Sequence, residues 1–163
     1  MYQPYEFPIM SALTFILICL SAVVGMEFVA WFAHKFIMHG FLWNWPADHH
    51  KKDHSSGNWW EKNDLFFLVF ATPGILSIIL GSFTSLVWFL PIGIGITIYG
   101  AIYFLIHDVY IHRRFKWFKQ LDSKYSRAVL RAHGAHHARV TKEDGESFGL
   151  LWINKKYFKS LRG

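Results

Sequence analysis

Ten histidines stand in two stretches of this 163-residue chain. The first stretch holds His34, His39, His49, His50 and His54; the second holds His107, His112, His133, His136 and His137. Their spacing repeats. His34-x4-His39 is followed by His49-His50, and His107-x4-His112 is followed by His133-x2-His136-His137. Imidazole is the commonest metal ligand, and its neutral nitrogen suits iron, zinc, copper and nickel. One ion takes roughly four to six ligands, so ten imidazoles point to two ions. His54 lies outside the repeated pattern and stands as a possible tenth ligand beside nine patterned ones.

Helical geometry sharpens this. At ~100° per residue, His133, His136 and His137 fall within an arc of about 100° and can converge on one site. A His-x4-His pair is different, because its members lie ~140° apart on an α-helix. Such a pair either serves two ions or sits where the helix ends or bulges. The spacing also differs from the i, i+4 pair of helical zinc proteases. Two acidic residues adjoin the pattern. Glu27 shares a helix face with His34, seven residues on, and a carboxylate inside an apolar span is costly and usually functional. It is expected to hold a histidine N–H or to line the route to the metals. Asp108 follows His107 directly and can orient it.

The elements that must position these residues are apolar. Hydrophobic residues make up 53% of the chain and charged residues 17%, a balance that leans towards a membrane protein. The length suits a single domain over residues 1–163. Three runs, at about 7–33, 65–80 and 83–106, are long enough to cross a bilayer, which takes ~20 residues. No basic residue precedes the first run and no small-residue cleavage pattern follows it, so it reads as a span and not as a signal peptide. Gly81-Ser82 is the expected turn between the second and third. The fold expected is all-α, an integral membrane bundle of three to four transmembrane helices. Cys19 is the single cysteine, which excludes an internal disulfide and a cysteine-held iron–sulfur cluster. A redox enzyme built on this chain would draw its electrons from outside.

The 17 lysines and arginines orient the spans. Lys35, Lys51, Lys52 and Lys62 lie in the 34–62 loop, and the other 13 lie in the 113–163 tail. By the positive-inside rule, loop and tail are cytoplasmic and the histidines gather at the cytoplasmic membrane face. The segment 123–138 reads as a basic amphipathic helix, with Tyr125, Val129, Ala132 and His136 at helical spacing, lying in the membrane interface. The tryptophans fall mostly near span ends, where interfacial anchoring is the default.

The stretches GMEFVAWFAHKFIMHG (25–40), HH (49–50), ND (63–64), YGAIYFLIHDVYIHRRF (99–115) and RAHGAHHARVTKEDGESFGLLW (131–152) resemble the membrane di-iron hydroxylases and desaturases of the fatty acid hydroxylase superfamily. Within it they are most similar to the bacterial β-carotene hydroxylases. The resemblance implies two irons held by the histidines, O2 as co-substrate, and hydroxylation of a β-ionone ring at carbon 3, leading from β-carotene through cryptoxanthin to zeaxanthin. It also implies reduced ferredoxin as electron donor, and the inner membrane of a bacterium as location. Lipid and a carotenoid are the expected partners; no nucleic acid is expected. There is one departure. The second histidine box reads Pro46-Ala47-Asp48-His49-His50, with proline where the family has histidine. Proline cannot ligate, so water, another side chain, His54 or Asp48 takes that position, or activity is reduced. The rival readings are a fatty acyl or sterol enzyme with the same histidines, and a metal transporter or a non-catalytic metal-binding membrane protein. Transport predicts ligating groups along a midplane path, and Glu27 is the only ionisable residue well inside an expected span.

Overall fold

The computed structural model describes residues 10–45, 47–50, 62–119, 121–138 and 145–159. These residues are helical or irregular, with no strand among them. Helix α1 spans Ala12–Phe32 and continues as a π-helical winding over Ala33–Phe41, kinked at Gly40, whose φ of -99° and ψ of -120° are not helical. A single helical turn, α2, covers Ala47–His50. A 3-10 turn at Lys62–Asp64 leads into α3, Leu65–Phe83. Helix α4, Phe89–Tyr103, runs into a second π-helical winding at Phe104–Ile111. Helix α5 spans Lys124–His137, and a 3-10 turn at Lys155–Phe158 follows.

Three helical stretches are long and apolar enough to cross a membrane: Ala12–Phe41, with its kink at Gly40, Lys62–Phe83 and Phe89–Ile111. Their leucine, isoleucine, valine and phenylalanine side chains are largely exposed, among them Leu13, Leu17, Val24, Phe67 and Ile75. An apolar surface of that extent suits lipid and not water. The first and third helices run past the ends that hydropathy alone indicates, because the histidine-bearing windings continue them. The expected turn at Gly81-Ser82 is corrected. Both residues belong to the last turn of α3, and the chain reverses between Phe83 and Phe89. Thr84 Oγ1 donates to the Leu80 carbonyl at 2.6 Å and accepts from the Leu86 N–H at 3.1 Å, fastening that reversal.

The chain divides into two compact units, one of Met1–Met26 with Phe67–Gly100 and one of Glu27–Phe66 with Ala101–Gly163. In the first, glycines set the helix spacing. A Cβ on Gly95 would meet the Cys19 carbonyl oxygen at 2.5 Å, and one on Gly93 would meet the Gly74 carbonyl oxygen at 2.7 Å. Small residues that let backbones approach are the usual glue between membrane helices, where hydrophobic burial supplies no drive. Pro91 sits in the first turn of α4, where its missing N–H breaks no helical bond.

In the second unit, Ser123 caps α5 in a reciprocal box with Ser126. Ala128 and Ala132 of α5 pack on Tyr157, with Ala135 and Ile153 beside them. The amphipathic helix expected over 123–138 is therefore present, and its buried face meets protein. Tyr125 departs from that face: it is 44% exposed, and its hydroxyl donates to the Leu151 carbonyl at 2.9 Å.

Candidate metal centre

The two π-helical windings decide how the His-x4-His pairs work. In the second, the His112 N–H reaches the His107 carbonyl five residues back at 2.9 Å, linking the pair itself; at the end of the first, the Leu42 N–H reaches the Ile37 carbonyl at 3.0 Å across the kink at Gly40. Residues five apart, splayed on an α-helix, thus come onto one face, an arrangement common at functional sites. The His34 and His39 rings lie 5.2 Å apart, and those of His107 and His112 lie 4.5 Å apart. Of the two alternatives the spacing allowed, the helix bulges and each pair stays together.

Two groups result among the described residues. His34, His39, His50 and His136 form the first, and His107, His112 and His133 the second; within each, one ligand atom per residue lies within 4.8 Å of the others. The expected convergence of His133, His136 and His137 on a single site is corrected. His136 joins the first group and His133 the second. The His137 ring stacks on His50 at 4.7 Å and lies 4.5 Å from His133 and 5.0 Å from His112, touching members of both. His54 and Pro46 lie outside the described residues, as do the side chains of Asp48 and His49.

Backbone carbonyls fix the first group. His34 Nδ1 donates to the Phe148 carbonyl at 3.1 Å, and His136 Nδ1 donates to the Glu146 carbonyl at 2.9 Å. A carbonyl only accepts, so each Nδ1 carries the proton and each Nε2 keeps its lone pair for a metal. Both carbonyls belong to a strap, residues 145–159, whose first half lies in the 131–152 stretch that carries the resemblance; its role as acceptor was not legible, because main-chain oxygens leave no residue pattern. Arg131 of α5 donates to the Tyr157 carbonyl, and Lys156 pairs with Glu146, which raises the lysine pKa. Glu27 was expected to hold a histidine N–H or line a path. Its Oε1 accepts from the backbone N–H groups of Leu150, Leu151 and Trp152 at 3.0, 2.8 and 3.0 Å. Phe148 and Trp43 set apolar rings against this group, at 5.1 and 4.8 Å from the His39 ring.

A charged chain supports the second group. His107 Nδ1 donates to Asp108 Oδ2 at 3.4 Å, which ties the imidazole to the carboxylate beside it. Asp108 Oδ1 accepts from Arg114 at 2.9 Å, and Arg114 forks onto both oxygens of Asp64 at 2.7 and 2.9 Å. Asp64, then Asp108, hold the guanidinium well above the ordinary arginine range. Sequence reading gave Arg114 no role, and noted Asp64 only within the motif at 63–64. Their partnership spans fifty residues of chain.

The donor set fits transition-metal ions. Seven imidazoles converge in two groups, most of them buried, and His112 Nε2 and His133 Nε2 face each other at 2.8 Å. That contact is an N–H···N hydrogen bond; two nitrogens bound to one ion at ~2.1 Å would stand about 3.0–3.4 Å apart, a small opening from it. Three membrane-length apolar helices and two imidazole groups sharing α5 define a membrane metalloprotein of the histidine-cluster class.

The chain belongs to the fatty acid hydroxylase family, whose model matches residues 19–158. It is 42% identical over 139 residues to a β-carotene hydroxylase of Pantoea ananas, covering 83% of this chain and 75% of that protein. It is 40% identical to a β-carotene hydroxylase of Pseudescherichia vulneris, covering 85% and 77%. With β-carotene 3-hydroxylase 1, chloroplastic, of Arabidopsis thaliana it shares 36% identity over 88% of this chain and 45% of that protein. No solved structure matches the chain.

Proposed function

We propose that this protein is a β-carotene 3-hydroxylase, inserting one oxygen atom of O2 at carbon 3 of a β-ionone ring and yielding zeaxanthin through cryptoxanthin. The observation that carries the reading is the pair of histidine groups sharing α5, buried or partly buried, in a chain 42% identical to a β-carotene hydroxylase. The balance is one C–H bond, O2, two electrons and two protons giving C–OH and water. His34, His39, His50 and His136 would hold one iron, and His107, His112 and His133 the other, with His137 between them and His49 completing the set of nine. When bound, the iron pair supplies activation of O2 for attack on an unreactive C–H bond.

The chain's own part is positional. The strap carbonyls and Asp108 fix imidazole tautomers, and the rings of Phe148 and Trp43 keep water from the first group. No cysteine-held cluster stands in the chain, so the electrons come from an external carrier, by our reading reduced ferredoxin. The basic 113–163 tail suits an acidic carrier. The charge pattern supports a cytoplasmic placement of loop and tail in a bacterial inner membrane. The family match runs through both compact units, which supports a single hydroxylase domain.

The test is expression in cells that accumulate β-carotene, with pigment analysis. Zeaxanthin and cryptoxanthin are expected. Unchanged β-carotene beside well-expressed, iron-loaded protein would reject the substrate and leave the family's acyl chemistry as the reading to pursue.

A further inference from the structure

We infer that Glu27 is a positioning residue of the first histidine group, its carboxylate clasping the backbone of residues 150–152 and thereby holding the two carbonyls that orient His34 and His136. This rests on reading that group as a metal centre. Three consecutive backbone N–H groups, from Leu150, Leu151 and Trp152, converge on the one oxygen Oε1 at 2.8 to 3.0 Å. Successive N–H groups so arranged form an anion-binding nest, and a charged acceptor makes each bond short and strong. The nest fills with a carboxylate from 123 to 125 residues earlier in the chain, on a helix of membrane-spanning length.

The strap is shaped around this contact. A Cβ on Gly149 would stand 3.0 Å from Glu27 Oε1, so glycine leaves the carboxylate room to reach its three donors. Ser147 lies between the two residues whose carbonyls hold the histidines, and its φ is 59°. A side-chain-bearing residue keeps that left-handed conformation only where its surroundings over-determine it. Glu27 fastens the strap on one side of this strained residue, and on the other the strap closes on itself through the Lys156–Glu146 pair. The carbonyls of Glu146 and Phe148 flank Ser147, each on an imidazole Nδ1. Releasing Glu27 frees the strap at 150–152, and with it the hydrogen bonds that set the tautomer and tilt of His34 and His136.

The experiment compares wild type, Glu27→Gln and Glu27→Ala as full chains in nanodiscs. Backbone deuterium exchange at residues 150–152 reads the clasp, and cobalt titration with its visible spectrum reads the imidazoles. In Glu27→Ala the three amides should exchange at least ~10-fold faster and cobalt affinity should fall about 10- to 100-fold, the usual cost of losing outer support. Glu27→Gln keeps a neutral acceptor and should fall between, with an altered spectrum; it carries the test if the alanine variant fails to fold. His107→Ala should lose cobalt at the second group yet leave exchange at 150–152 unchanged. Unchanged exchange in both Glu27 variants overturns the clasp. Faster exchange with wild-type cobalt affinity and spectrum overturns its link to the histidines. Wild type binding no more cobalt than a His34→Ala/His136→Ala control rejects the metal reading itself and the role assigned towards it, while the exchange rates still decide the clasp.

Discussion

His133 and His136 stand three residues apart on α5, with ring centroids 5.9 Å apart, yet they belong to different histidine groups. One helical turn therefore ties the two groups together. His136 is 1% exposed and hydrogen-bonded to the strap, whereas His133 faces His112 across 2.8 Å. The groups also draw on different supports, main-chain carbonyls for the first and a carboxylate–guanidinium chain for the second.

Replacing His136 with alanine should remove the first ion and leave the second. Metal analysis is expected to show about half the wild-type content, because one group loses a central ligand while the other keeps all of its own. Pigment turnover should vanish while membrane insertion persists. Wild-type metal content would remove His136 from the ligand set.

Arg114→Lys should not behave as a conservative change, since a lysine cannot fork onto Asp64 while also reaching Asp108. Breaking a largely buried pair strands a carboxylate, at a cost of about 3 kcal/mol. Thermal unfolding should show that loss, and metal affinity should fall by roughly tenfold at the second group. An unchanged melting curve would mean that the Asp64–Arg114 fork contributes nothing to stability.

Pro46→His supplies the histidine that the resemblance implies for the second box. The expected result is a gain in iron per chain or in turnover, read by metal analysis and pigment yield. If neither rises, the proline costs no ligand.

Gly95→Ala should destabilise the packing of α1 against α4. A Cβ at that position meets the Cys19 backbone 2.5 Å away, and backbone cannot rotate aside as a side chain can. Overpacking of this kind costs about 1–3 kcal/mol, measurable by thermal or denaturant unfolding in detergent. Gly100→Ala is the control, because nothing lies within 4 Å of its Cβ position.

Hydropathy and charge made the three spans legible, because each carries a long apolar run. The turn between the second and third was misread at Gly81. Glycine signals both tight turns and close helix approach, and only packing distinguishes them: a Cβ on Gly81 would strike the Leu90 backbone. The histidines were legible as a set, and the choice between shared ions and a bulged helix stayed open, since α-helical angles cannot reveal a π winding. Glu27 drew notice through the cost of a carboxylate in an apolar helix, but its partners are backbone N–H groups, which every residue but proline offers. Arg114 and residues 145–152 stand in stretches that carry the resemblance, but their contacts were not legible for the same reason: they join distant segments without any periodic trace.

The two π windings carry a consequence for inheritance. Each holds one residue more than the α-turn it replaces, and each histidine pair is spaced to match. Deleting a single codon between His34 and His39 would leave an i, i+4 pair that meets on an ordinary α-helix. A deletion elsewhere in the winding would relax the helix while keeping the five-residue spacing, and the pair would part. Spacing and winding therefore have to change together, so an insertion or deletion in these segments is either silent for convergence or ruinous to it, according to which side of a histidine it falls.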